Sequence, residues 1–343
     1  MRTILLDRRA QERKTSLFRL QAGLLSEVGL PQGRVDRSHA EQVINGKAPA
    51  RFGGARTELV VRRDVWMDHL AQRADAERVG VVDGRGSIEI AFELDGWRVS
   101  PRSGEAIRAP VLLLAESARA PLLEAIGVGE VQRMTKTGAE IATNVIATWE
   151  LPPSEMQKHG PIRVFESRGP LGRVEVLPGR DRVTLSVGPV WAGLHVDEGP
   201  WPSPAHPAIL HALERARVLA GLPPTPTTVE LEEWRLDALP NPPTFDGGMV
   251  VGAGAGQRRH DALGAEGDAW LLGRAAGQAA AAAVLKDALR AKAIGALLTE
   301  AHHEVVLAID ADRAWEARPR PRAKFAPGLS GLSHGGPASA SQR

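Results

Sequence analysis

Apolar and polar positions along the chain follow two rhythms, and the places where the rhythm changes divide it. The chain opens on an apolar run, Thr3-Ile4-Leu5-Leu6, closed by Asp7, Arg8 and Arg9, which reads as a short buried strand with no helix before it. Residues 17–28 have helical spacing and stop at Gly29 and Pro31. A second helix is expected over 64–78, with Val65, Leu70 and Ala74 near one face, and a short strand follows over 79–82. From Ile88 the period falls to two. Ile88, Ile90 and Phe92 share one side, Asp95-Gly96 makes the turn, and Trp97 and Val99 return as the second arm of a hairpin. Residues 111–114 are uninterrupted aliphatic, the pattern of a strand covered on both faces.

Residues 131–192 are rich in strand-like stretches, at 140–151, 162–166, 172–177 and 183–187, and predict a mostly antiparallel sheet. Pro-rich segments at 200–207 and 222–226 bracket a helix over 208–220. Met249-Val250-Val251 is a short buried strand that runs into Gly252-Ala253-Gly254-Ala255-Gly256, and an Ala-rich helix is expected over 270–293. Only one strand-like stretch, 305–309, comes after it. Beyond Trp315 the sequence turns basic, Pro-rich and finally Gly/Ser-rich, so 318–343 read as a disordered tail.

Composition narrows the classes. The 343 residues are 43% hydrophobic and 24% charged, which is globular. Lys plus Arg (43) nearly cancels Asp plus Glu (41), a balance that does not imply a specific nucleic-acid partner. With no cysteine, disulfides, thiolate metal sites and a Cys nucleophile are excluded, and a cytoplasmic location is expected. No apolar run is long enough for a transmembrane helix.

Strand, acid, basic pair is how the second strand of a dinucleotide-binding unit ends, with the carboxylate on the adenosine ribose; Asp7, followed by Arg8, holds that place. Other features follow in a recognisable order. Arg13-Lys14-Thr15 precede the first helical stretch, and Arg63 stands just before a helix carrying Trp66 and Leu70. The hairpin leads to a strand ending in Leu114-Ala115-Glu116-Ser117-Ala118-Arg119. The middle sheet carries Glu150-Leu151-Pro152-Pro153 and Leu177-Pro178-Gly179-Arg180-Asp181-Arg182-Val183, and a Gly-rich turn opens at Gly252. Together these resemble the FAD-dependent oxidoreductases of the geranylgeranyl-reductase and aromatic-hydroxylase superfamily, over about residues 3–290.

The resemblance implies a mixed α/β fold: a Rossmann-like FAD-binding part and an antiparallel substrate sheet. It implies nucleotide-binding segments at 1–130 and 241–317, around a substrate-binding sheet at 131–240. FAD would be held by Asp7, Arg8, Arg63, Glu116, Gly252, Gly254 and Gly256, with NAD(P)H as electron donor. The substrate would be a hydrophobic or aromatic small molecule, for which Trp149 and Trp191 on the middle sheet are the pocket candidates.

The departures carry chemistry too. The superfamily begins one strand earlier, with a glycine turn and a helix whose amino end meets the pyrophosphate. As numbered here the chain starts on the following strand, so it reads as an N-terminally truncated relative. Ala253 stands where the superfamily places a carboxylate against the cofactor, and Arg258-Arg259-His260-Asp261 replace an acid-Pro stretch. Hence a second expectation: a degenerate relative that has lost FAD and acts as a binding protein, or as a subunit whose open first-strand edge a partner chain completes. The 252–256 turn is glycine-spaced like a dinucleotide loop, but too little chain follows it for a complete unit. No catalytic acid or base and no metal set stands out. His302-His303-Glu304 read as an exposed helix end, and His195, Asp197 and Glu198 as a loop.

Overall fold

A computed structural model describes residues 3–7, 14–47, 50–51, 57–83, 88–94, 96–102, 104–115, 141–166, 173–190, 204–235, 244–252 and 263–301. The sequence expectations for Arg8, for Glu116 to Arg119, for 195–198, for 258–261 and for 302–343 lie outside them.

The architecture is mixed α/β. Its largest element is a seven-stranded sheet in the order β16 (Thr228–Arg235), β12 (Ile141–Glu150), β15 (Arg182–Val190), β14 (Arg173–Pro178), β13 (Ile162–Glu166), β4 (Glu41–Ile44) and β5 (Ala50–Arg51). Every pairing is antiparallel except β13 with β4. Side chains alternate across a strand, so this sheet has two chemically different faces. Val145, Ala147, Trp149, Val174, Val176, Val183, Leu185 and Val187 point one way and pack on Ile209, Ala212, Leu213 and Ala216 of a helix, Pro207–Ala220. That helix starts at Pro207, where a missing N–H costs nothing, and ends at Gly221 in the left-handed region, φ 67°. Thr148, Thr184, Ser186 and Glu175 point the other way and are also buried.

A three-stranded sheet covers that inner, polar face: β2 (Leu17–Gln21), β6 (Glu58–Arg62) and β3 (Arg37–His39). The Leu17 amide donates to Thr184 Oγ1 at 2.9 Å, and Thr184 shares a 3.1 Å hydrogen bond with Thr148. Arg19 Nε and Glu175 form a buried ion pair at 2.8 Å. The helical reading of 17–28 is therefore corrected for its first five residues. Leu17, Phe18, Arg19 and Leu20 are all buried, a two-sided burial that only a paired strand between layers permits; α1 (Ala22–Val28) starts afterwards.

The second helix, α2 (Arg63–Ala76), follows β6 directly and leads to β7 (Gly80–Asp83), parallel to β1 (Ile4–Asp7). The expected hairpin forms from β8 (Ile88–Glu93) and β9 (Gly96–Pro101), with β10 (Ile107–Ala109) on its other side. Next, β11 (Leu112–Leu114) runs parallel to β18 (Gly248–Val250), which also pairs with β17 (Thr244–Phe245). Leu113 is 39% exposed, so β11 is not covered on both faces as its sequence suggested.

The Ala-rich helix is shorter and earlier than expected. It spans Ala265–Leu285, ends where Asp287 takes φ 51°, and gives way to a separate helix over 291–301. Leu272, Ala276, Ala279, Ala280 and Ala283 of the first, with Ile294 and Leu298 of the second, pack on Met249 and Val251. Small alanines let the long helix approach β18 closely.

Candidate functional site

Three segments distant in sequence meet at Arg63. Its backbone is fixed first: it opens α2 directly from β6, and its amide donates to the Ser16 carbonyl at 3.0 Å. Neighbouring Asp64 holds the joint, accepting from Arg62 Nε at 3.0 Å and from the Val65 amide at 2.8 Å. Burial raises the Asp64 pKa, but the Arg62 hydrogen bond and then the Val65 amide outweigh it and bring the carboxyl below its ordinary value.

From this joint the Arg63 side chain, 5% exposed, reaches two other elements. On β16 the register sets Glu230 opposite Ile146 and Glu232 opposite Asn144, so both carboxylates face inward. Arg63 Nη1 pairs closely with Glu232 and lies 3.5 Å from Glu230. Its Nη2 lies 2.6 Å from Glu266, in the first turn of the long helix, near the buried Asp268. Lys14 approaches Glu230 from a more exposed position, at 3.7 Å. Burial by itself lowers the Arg63 pKa; the field of Glu232, Glu266 and Glu230 more than reverses this, and the guanidinium is held firmly charged.

A second locus lies where β11 and β18 end. The Val251 amide donates to the Leu114 carbonyl at 2.8 Å, so the parallel pairing of β11 and β18 continues as far as the residues just before Ala115 and Gly252. Carboxyl ends of parallel strands are where open α/β sheets bind ligands. Gly252 has φ 75°, and a Cβ built there would meet nothing within 4 Å. Asp7 ends β1, paired in register with Asp83 of β7.

The sequence-named residues thus separate. Arg63 is enclosed by carboxylates, and Gly252 stands with positive φ just after β18. Trp149 is 1% exposed in the layer beneath Pro207–Ala220, with its Nε1 donating to the Pro223 carbonyl at 3.0 Å. Period-two alternation puts it on the face opposite Glu230 and Glu232. Arg8, Glu116, Trp191, Gly254 and Gly256 lie outside the described residues, as do the side chain of Asp7 and position 253. Glu230, Glu232, Glu266 and Asp268 were not anticipated from sequence. The alternation Val229-Glu230-Leu231-Glu232 was the available signal, a half-buried strand with acids on one face. Among the described residues no group of His, Asp and Glu is arranged to hold a metal ion, and no helix is long and apolar enough to cross a membrane.

Compared by sequence, the chain matches no family model and no curated protein. Compared by structure, it is similar to a reductase-like protein, a hydroxylase and a probable FAD-dependent monooxygenase. A geranylgeranyl bacteriochlorophyll reductase-like protein from Thermoplasma acidophilum superposes with a TM-score of 0.67 at 16% identity, over 91% of this chain and 81% of that one. For 2,6-dihydroxypyridine-3-hydroxylase from Arthrobacter nicotinovorans the values are 0.61 and 13%, over 96% and 88%. A probable FAD-dependent monooxygenase from Pseudomonas aeruginosa gives 0.56 and 16%, over 92% and 87%. The chain therefore has the fold of FAD-dependent monooxygenases and geranylgeranyl reductase-like proteins, a Rossmann-like part joined to a large, mostly antiparallel sheet.

FAD is named for a monooxygenase that shares this fold, and one place among the described residues is compatible with a nucleotide. A nucleotide needs backbone that it can approach closely, and Gly252, whose φ of 75° suits glycine and where an added Cβ would meet nothing within 4 Å, is compatible with this. Charge to meet a pyrophosphate is not offered at Arg63, which is engaged by three carboxylates, nor at the amino end of the long helix, where Glu266 and Asp268 oppose an anion.

Proposed function

We propose that the chain is an FAD-dependent oxidoreductase, a reductase or monooxygenase, acting on a hydrophobic or aromatic small molecule. The observation that carries this reading is the positive φ of Gly252 at the carboxyl end of β18, parallel to β11, within a fold shared with a probable FAD-dependent monooxygenase. In this reading the backbone at Gly252, Gly254 and Gly256 approaches the nucleotide, Asp7 accepts from a ribose hydroxyl, and Arg8 and Glu116 complete the shell. Bound FAD would supply hydride transfer or oxygen activation, with NAD(P)H as the electron source. In this reading the protein's part is to hold the cofactor at the carboxyl ends of β11 and β18.

Two features favour a second reading, a flavin-free relative that binds a small molecule or serves as a partner subunit. Ala253 supplies no carboxylate, and Arg63 is enclosed by acids. The subunit form of this reading has a partner chain adding a strand to β1, whose neighbour among the described residues is β7.

Titrating the purified protein with FAD while following flavin fluorescence decides between them. Saturable quenching that disappears in Gly252→Val, a residue strained at positive φ, supports the flavoprotein. FAD that stays free over a folded chain, as judged by circular dichroism, overturns it in favour of the second reading.

A further inference from the structure

We infer that Arg63 is a positioning residue, the clasp that holds the edge strand β16 of the large sheet against the amino end of the helix Ala265–Leu285. The inference goes beyond the flavin reading and stands without it. Glu230 and Glu232 belong to β16 and Glu266 to the helix, and one guanidinium joins both sets: Nη1 takes the first two and Nη2 takes Glu266 at 2.6 Å. Lys14 lies 3.7 Å from Glu230, and its side chain is 43% exposed. The post itself does not swing, since the Arg63 backbone is pinned at the β6–α2 joint by Ser16. Three carboxylates converging on one buried point repel one another, and that repulsion is strong where water is scarce. With the guanidinium present the two elements are drawn together; its loss removes the charge that Glu230, Glu232 and Glu266 share.

A lysine is a poor substitute, because a point cation lacks the planar fork that lets one side chain face acids on both sides. Enclosure of this kind also separates Arg63 from phosphate binding: its two terminal nitrogens already face carboxylates.

Hydrogen exchange read by mass spectrometry tests the clasp. Arg63→Met should speed exchange about tenfold in segments 228–235 and 263–272, while strands 174–178 and 183–187 change less than about twofold. Adding Glu232→Gln and Glu266→Gln to Arg63→Met should bring both segments back to within about threefold of the wild type, because the repulsion leaves with the charge. Should Arg63→Met not fold, Arg63→Lys is read instead, with the two segments again opening before the central strands. Unchanged exchange in both segments overturns the proposal. So does acceleration spread evenly over the central strands, or a triple variant that recovers nothing, since a residue contributing only bulk stability would give those results.

Discussion

Trp149 shows how a single position is decided by which side of a strand it falls on. Its indole lies with Val145 and Ala147 under the helix Pro207–Ala220, and its one polar atom is satisfied by the Pro223 carbonyl at 3.0 Å. Such a residue carries stability and does not line a pocket. Trp149→Phe keeps most of the bulk and loses the hydrogen bond, so it should cost about 1 kcal/mol. Trp149→Ala leaves a large cavity and should cost about 3–5 kcal/mol. Urea denaturation measures both, and ligand affinity of the Phe variant should match the wild type; a tenfold loss of affinity without loss of stability would return Trp149 to the pocket. Arg63 stood out only because the family resemblance places an Arg just before that helix, and its partners did not stand out at all. They come from residues 230, 232 and 266, and only the register of β16 on β12 turns those acids inward.

Elements with a clean period were legible from sequence: the hairpin of β8 and β9, the middle strands, and the helix closed by Gly221. What escaped was set by tertiary partners. Residues 17–21 have helical spacing, but pairing with β6 and cover from the large sheet make them a strand. The Ala-rich run carries no internal signal for its end, since alanine propagates a helix indefinitely. Its stop is imposed from outside, by the segment that precedes β18. The Gly247 amide donates to the Leu289 carbonyl at 2.6 Å, and Asp246 accepts from the Ala291 amide and from Arg290, each at 2.8 Å. Asp246 thereby caps the helix over 291–301 from a distant strand turn, and Asp246→Ala should lower stability by about 1 kcal/mol. The Ala291 amide first, and Arg290 next, hold the Asp246 carboxyl below its ordinary 3.8. A depressed folded-state pKa lends stability above the unfolded value and loses it as pH falls through the folded one. The Tm difference between wild type and Asp246→Ala should therefore be full near about pH 7 and shrink below 3.8. A difference that stays constant on acidification would remove the carboxylate from the explanation.

At the scale of the whole molecule, cover is uneven. The large sheet is buried on both faces, whereas the parallel strands expose aliphatic side chains: Leu5 is 49% exposed, Val81 62% and Leu113 39%. Parallel strands ordinarily lie buried on both faces, because the helices of their crossover connections cover them. An exposed apolar edge of this kind is a template for another chain. The unevenness therefore predicts association through β1 and β7, which a charge on that edge should block. Wild-type protein should sediment with a concentration-dependent coefficient over about 1–100 µM, and Leu5→Lys should sediment as a monomer with the circular dichroism of the wild type. If instead both proteins sediment as monomers across that range, the exposed strands are tolerated as they stand, and the partner-subunit reading loses the surface it needs.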